Sequence, residues 1–370
     1  MNLNAHDSYR NYPTTCPRIV FFASMSVVVN LSAAVGAITR ITEILQSISK
    51  GSAWGTWWLV MLISTVSTVF LSLDTTAILV TPLAIALAER VGLAVFPLVL
   101  GVIWIANLGS LTIPVSNLTN LLSVSGGMFV GTSDYFSLSW KPALAATIVA
   151  FAGGAIAFIL RNPSSIHRQS RPPSSLDTAQ ENSTSQVHCL VTLGVLVPVL
   201  ASPIPYWISS TVAAIYLLLI FRASKRSRII LSWTLIPWSS LFFVSGLSLM
   251  AFFLHTQSDV IAEEFSSLLN STGMGPVLLT ASGAILANLI NNIPAFLALE
   301  PAATSPQSMM FLIIGVNAGP IVAPWASLAT LLCLDQAKRN GFNIPWRPII
   351  LCGMTLFPFA ILLPLAATLI

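Results

Sequence analysis

The chain has 370 residues, 55% of them hydrophobic and only 8% charged, with a formal net charge of +4. Soluble domains carry roughly 25% charged residues, so a soluble globular fold is excluded and a polytopic membrane protein is indicated; the mean hydropathy of +0.85 agrees. The small positive charge fits loops at a membrane surface and gives no reason to expect nucleic acid as a partner.

Residues 1–16 form a polar tail with no evident cleavable signal peptide. Ile19 to Ile38 is long enough to cross the ~30 Å hydrocarbon layer as a first helix. The segment ITRITEILQSISKG, carrying Arg40, Glu43 and Lys50, has amphipathic character suited to the interface. Trp57 to Ala88 is an apolar run interrupted by Ser72, Asp74, Thr75 and Thr76. It is too long for one span and too short for two with a loop, which predicts a re-entrant hairpin over 57–90 with its tip at SLDTT. A broken helix is expected over 93–130, and Pro142 to Leu160 reads as a further span.

Residues 161–186 are polar, rich in Ser and Pro, and free of aromatics. This composition marks a linker between two halves. Val187 to Ala201 and Ile204 to Phe221 then read as a pair of spans. The basic loop RASKRSR, a span over Ile229 to Leu254 and an acidic connector over 255–270 follow. A second hairpin is predicted over 274–300 with its tip at NLINNIP, then a second broken helix over 308–335 and a last span over Ile349 to Leu369.

The two broken helices carry the functional signal. ANLGSLTIPVSNLTNLL, residues 106–122, places Gly109, Pro114 and many polar side chains inside apolar sequence. Pro114 removes a backbone donor and Gly109 loosens the helix, so the chain should unwind and present carbonyls and amides. In hydrocarbon that is tolerated only where the backbone is buried in protein or lines a wet cavity. The pattern returns without gaps as VNAGPIVAPWASLATLL, residues 316–332: Asn107 meets Asn317, Gly109 meets Gly319, Pro114 meets Pro324 and Leu118 meets Leu328. Corresponding interrupted segments in two halves point to the binding site of a secondary transporter.

The domain reading is therefore a tail (1–16), a first transmembrane repeat (17–160), a linker (161–186) and a second repeat (187–370). With the linker in the cytoplasm, thirteen of the sixteen Lys and Arg residues fall inside and only Arg10, Arg18 and Lys141 outside. That orientation turns the hairpins to opposite membrane faces, which makes the repeats inverted. The first repeat lacks two N-terminal spans that the second has. Either the protein evolved without them or the chain begins late within a longer reading frame.

LSLDTTAILVTPLAIALA, ANLGSLTIPVSNLTNLL, ANLINNIPAFLA and GVNAGPIVAPWASLATLL resemble the arsenite efflux permeases, the arsenical pump membrane proteins of the ion transporter superfamily. The resemblance runs from about Pro17 onward. It implies an all-α inverted-repeat transporter, with two re-entrant hairpins and two broken helices meeting at mid-membrane, that extrudes arsenite or antimonite. The Ser-Asn-Asp usual at the first hairpin tip of that family stands here as Ser72-Leu73-Asp74.

Asp74 is the one carboxylate within its long apolar run. A charge at that depth costs at least ~2.5–3.5 kcal/mol, so such residues are usually functional. Burial penalises the charged form, as a proton carrier in an antiport cycle requires; capping the returning hairpin arm is the other reading. Asn288, Asn291 and Asn292 stand at the second tip, and Asn107, Ser110, Ser116, Asn117, Thr119, Asn120, Asn317, Ser327 and Thr330 in the unwound stretches. Amides and hydroxyls suit a neutral trihydroxy solute, although some must satisfy the opened backbone.

The four cysteines (Cys16, Cys189, Cys333 and Cys352) are scattered, which argues against a disulfide framework or a zinc site. No cofactor is expected. Cys333 reads as packing rather than as a ligand for arsenic. The expected partners are a small inorganic solute, a coupling proton and the lipid bilayer. A peripheral ATPase subunit docked on the basic loop and a homodimer are both compatible with the sequence. A carrier of the same superfamily for a carboxylate or for sodium/proton exchange, and a truncated non-transporting remnant, stay open. A membrane-embedded enzyme is disfavoured, since HExxH, GxSxG and paired intramembrane aspartates are missing.

Overall fold

The computed structural model describes residues 15–162, 183–223 apart from 201 and 203, parts of 231–246, and 275–369. All regular structure among these residues is helical: α1 (Thr15–Ala34), α2 (Ala37–Ser49), α3 (Ala53–Phe70), α4 (Leu73–Val91), α5 (Val95–Leu108), α6 (Leu118–Ser125), α7 (Thr132–Arg161), α8 (Ser183–Leu200), α9 (Tyr206–Ala223), α10 (Gly275–Ile290), α11 (Asn292–Leu299), α12 (Pro306–Ala318), α13 (Leu328–Arg339) and α14 (Trp346–Leu369). Among the described residues α3, α7, α9 and α14 have the length and apolarity to cross a membrane. The basic loop, the Ile229–Leu254 span, the acidic connector and most of the linker fall wholly or largely outside the described residues.

Several predicted boundaries move. The first apolar run does not continue to Ile38: α1 ends at Ala34, and Gly36, at φ 76°, starts α2 as a separate helix. Only glycine adopts that left-handed conformation without a Cβ clash. The helix expected from Pro142 begins ten residues earlier, at Thr132, and simply contains the proline. The second arm of the first broken helix stops at Ser125 instead of Val130, where Gly126 and Gly127 interrupt it.

The chain divides into two units, residues 1–35 with 181–248 and residues 36–180 with 249–370. In the first unit α1 packs on α8 and α9. Ser24 Oγ donates to Ser210 Oγ at 2.7 Å, Asn30 Nδ2 donates to the Leu235 carbonyl at 2.8 Å, and Phe21 meets Tyr206 edge-on. The second unit holds all the remaining helices. Its core is built by α5 and α12, both buried along nearly their whole length. Lipid gives helices no hydrophobic reason to associate, so close backbone packing has to supply the attraction. The α10–α12 pair shows how: a Cβ on Gly315 would lie 2.2 Å from the Thr280 carbonyl oxygen, and one on Gly319 would lie 2.6 Å from Ala284 Cα. Only the glycines permit that approach.

Candidate functional site

Each half of the second unit contributes the same succession at one constant displacement. A buried helix (α5, α12) passes into two short 3₁₀ turns (Gly109–Leu111 and Pro114–Ser116; Gly319–Ile321 and Pro324–Ala326). A new helix then starts (α6 at Leu118, α13 at Leu328). Proline at the first position of the second turn is the local cause in both. Asn117 and Ser327, both extended, stand at the N-caps of α6 and α13.

The opened backbone of the first stretch is accounted for largely by its own side chains. Ser110 Oγ donates to the Asn107 carbonyl at 2.7 Å, and Ser116 Oγ donates to the Ser110 carbonyl at 2.6 Å and to that of Ile113. Asn120 Nδ2 reaches the Ser110 carbonyl at 2.7 Å and the Ile113 carbonyl at 3.2 Å. Asn117 Nδ2 donates to Ser110 Oγ, and its Oδ1 accepts from the Thr119 amide. Two groups that sequence reasoning missed complete the account: Tyr135 Oη donates to the Leu111 carbonyl at 3.0 Å and Ser139 Oγ to the Thr112 carbonyl at 2.9 Å. Their spacing of one helical turn was the available signal, but it lay outside the span predicted from Pro142.

The halves meet through side chains that occupy equivalent positions. Asn107 Nδ2 donates to Thr330 Oγ1 at 3.4 Å, and Asn317 Nδ2 donates to Asn120 Oδ1 at 2.6 Å. Since Asn107 corresponds to Asn317 and Asn120 to Thr330, these are one contact and its reciprocal. Thr119 Oγ1 adds a bond to Asn317 Oδ1 at 2.7 Å. All five of these side chains are buried.

The second stretch is tied instead to α10. Asn288 Nδ2 donates to the Ala284 and Gly319 carbonyls, each at 2.8 Å, and its Oδ1 accepts from the Ala323 amide at 2.9 Å. Trp325 Nε1 donates to the Asn288 carbonyl, while Asn291 Nδ2 donates to the Trp325 carbonyl, both at 2.9 Å. Trp325 was also missed, because Val115 occupies the equivalent place in the first half.

Both helix pairs α3–α4 and α10–α11 break at a non-glycine residue with positive φ, Ser72 at 138° and Asn291 at 88°. Such conformations cost of order 1–3 kcal/mol and cluster at functional sites. Each of the two residues caps the returning helix: Ser72 Oγ accepts from the Thr75 amide, and Asn291 Oδ1 from the Ile293 amide. Ser72, Thr75 and Thr76 bond chiefly within their own hairpin, Thr76 Oγ1 lying 2.9 Å from Ser67 Oγ and 3.0 Å from Thr68 Oγ1. Asp74 lies partly buried in the first turn of α4, where the helix N-terminus favours its negative charge. Apart from Asn292 and Ser327, the predicted residues thus fall into four sets: Ser110, Ser116 and Asn117 within the first stretch, the cross-half network, the Asn288–Asn291 cluster, and the first tip.

Two of them stand out chemically. Asn292 Oδ1 and Ser327 Oγ are buried and have no hydrogen-bond partner. A stranded buried acceptor costs about 1–3 kcal/mol, so an unexplained one asks for a ligand or an ordered water. Among the described residues no cluster of three or more His, Cys, Asp or Glu could hold a metal ion.

Against known proteins, the profile of the citrate transporter family matches residues 11–334. The chain belongs to that family. Among curated relatives, this family member is 26% identical over 294 residues to the arsenical pump membrane protein of Yersinia enterocolitica, covering 74% of this chain and 67% of the relative. It is 25% identical over 303 residues to the Escherichia coli K12 protein of the same name, with the same coverage. A putative arsenical pump membrane protein of Bacillus subtilis strain 168 is 23% identical over 337 residues, covering 80% and 74% of the two chains. Among solved structures the chain is similar to the Alcanivorax borkumensis YdaH transporter, with a TM-score of 0.47 and 16% identity over 99% of this chain and 89% of that one. Family and composition together make the protein a helical, multi-pass membrane transporter with arsenical pump relatives, as its sequence motifs had suggested.

Proposed function

We propose that this transporter exports arsenite or antimonite across the cytoplasmic membrane in exchange for protons. The observation that carries this reading is the pair of stranded buried acceptors, Asn292 Oδ1 and Ser327 Oγ, at the second hairpin tip and in the second unwound stretch. Arsenious acid is uncharged at neutral pH and offers three O–H groups, from which the Asn292 amide oxygen and the Ser327 hydroxyl, itself also a donor, can accept. Neither unwound stretch nor either tip contains Lys or Arg. A di- or trianionic carboxylate would therefore meet amides and helix N-termini alone. The curated relatives are named arsenical pump membrane proteins, and an uncharged arsenical fits these neutral residues better than citrate does.

In this reading the halves are inverted repeats whose two hairpins are re-entrant from opposite faces, with the linker cytoplasmic. The reciprocal Asn107–Thr330 and Asn317–Asn120 contacts support the repeat relation, and the distribution of Lys and Arg supports the orientation. Asp74 carries the proton. The remaining Asn, Ser and Thr residues of the tips and unwound stretches hold the solute or keep its cradle open.

The test is arsenite accumulation in cells stripped of their own efflux systems, with and without the chain, alongside citrate uptake into vesicles. Lower arsenite accumulation that a protonophore abolishes, and that Asp74→Asn removes, is the expected result. Unchanged accumulation with the protein confirmed in the membrane would refute export of arsenite. Citrate uptake in its place would assign the carboxylate chemistry of the family name.

A further inference from the structure

We propose that the cavity where the N-termini of α5 and α14 meet the C-terminus of α7 binds an anionic phospholipid. The cavity has a volume of about 370 Å³, within the ~300–1,000 Å³ range of small-molecule sites. Val95, Phe342, Ile344 and Pro348 give it apolar walls, and Arg161 and Asn343 are its polar lining groups. α5 and α7 are held together locally: Asn162 Oδ1 accepts from the Ala94 amide at 2.8 Å, and the Arg161 guanidinium lies 5.6 Å from the centre of the Phe96 ring. Among the described residues Arg161 has no carboxylate partner, since the ion pairs there join Arg40 and Arg90 to Glu43 and Arg339 to Asp335. Its charge is stacked on an aromatic ring and still open to an anion on its exposed side.

An apolar slot beside an unpaired guanidinium is complementary to an amphiphile whose tail is hydrocarbon and whose head is a phosphate. A small soluble anion has no use for the slot, and a zwitterionic lipid gains little from the arginine. The depth agrees, because Trp346, half exposed, stands beside the cavity as an interfacial anchor. This inference rests on membrane location and not on the identity of the transported solute, so the two can fail separately.

The experiment uses the full chain, purified in neutral detergent and stripped of lipid. Native mass spectrometry and thermal melting are followed while phosphatidylglycerol, phosphatidylcholine of the same chains, palmitate or inorganic phosphate is added. Phosphatidylglycerol should remain bound and raise the melting midpoint above the phosphatidylcholine value. Arg161→Gln should weaken its apparent affinity about fivefold, the effect of one lysine or arginine at an anionic surface. Ala94→Trp, which fills the slot and keeps the charge, should abolish the preference. Equal binding of the two phospholipids would overturn the proposal. So would an Arg161→Gln effect no larger than that of Arg222→Gln, or full stabilisation by phosphate or palmitate alone.

Discussion

Removing Asn317 tests the contact that joins the two halves. Its Nδ2 donates to Asn120 Oδ1 at 2.6 Å and its Oδ1 accepts from Thr119 Oγ1 at 2.7 Å, all three residues being fully buried. Asn317→Ala strands one acceptor and one donor, each worth about 1–3 kcal/mol. Thr119 Oγ1 already lies 3.5 Å from Asn120 Oδ1, so the two can partly satisfy each other, and the expected loss is about 2–3 kcal/mol. Asn120→Ala should cost more, about 3–5 kcal/mol, because Asn120 Nδ2 also serves the Ser110 and Ile113 carbonyls. The double variant should then be less destabilised than the sum by about 1–3 kcal/mol. The assay is equilibrium unfolding of the full chain in mixed micelles, followed by circular dichroism. Additivity within about 0.5 kcal/mol would refute the cross-half bond. Asn107 and Thr330, 3.4 Å apart, should show a smaller coupling in the same cycle.

Gly315→Ala should cost more than about 3 kcal/mol, because the new methyl meets the Thr280 backbone oxygen at 2.2 Å and cannot turn away; loss of the monodisperse peak in size exclusion would show it. Gly92→Ala, at φ +73° in open space, is the control and should cost only about 1–2 kcal/mol. Lys50 ends α2 at φ 52°, so Lys50→Gly should relieve a left-handed penalty and raise stability by about 0.5 kcal/mol net, read as an upward shift in melting midpoint. The Arg40 guanidinium 2.7 Å from Glu43, assisted by Arg90 at 3.2 Å, holds that carboxyl below its ordinary value. A lowered folded pKa means its stabilisation is present above the unfolded pKa and disappears as pH falls through the folded one. Since all three groups are solvent-exposed, Glu43→Gln should remove no more than about 0.5 kcal/mol at pH 7 and progressively less as the pH falls into the acid range, as measured by melting across a pH series.

The membrane class, the helical content and the two unwound stretches could be read from the sequence because each depends on local chemistry. Apolar length, a proline without a donor and a repeated Asn-x-Gly pattern act within one turn of chain, wherever the rest of the protein lies. The breaks at Ser72 and Asn291 were legible for the same reason, as polar interruptions in apolar runs. Helix limits were less so: α7 starts at Thr132, and although Tyr135 and Ser139 stand one helical turn apart, that spacing does not say which carbonyls of another segment they satisfy. The tertiary structure alone decided which Asn and Ser side chains close the opened backbone and which are left without partners. Asn120 and Asn292 look alike in sequence. One bonds to Ser110, Ile113, Thr119 and Asn317, while the other keeps its carbonyl oxygen buried and unmatched. That difference arises from contacts nearly two hundred residues apart, which packing sets and local pattern cannot reveal.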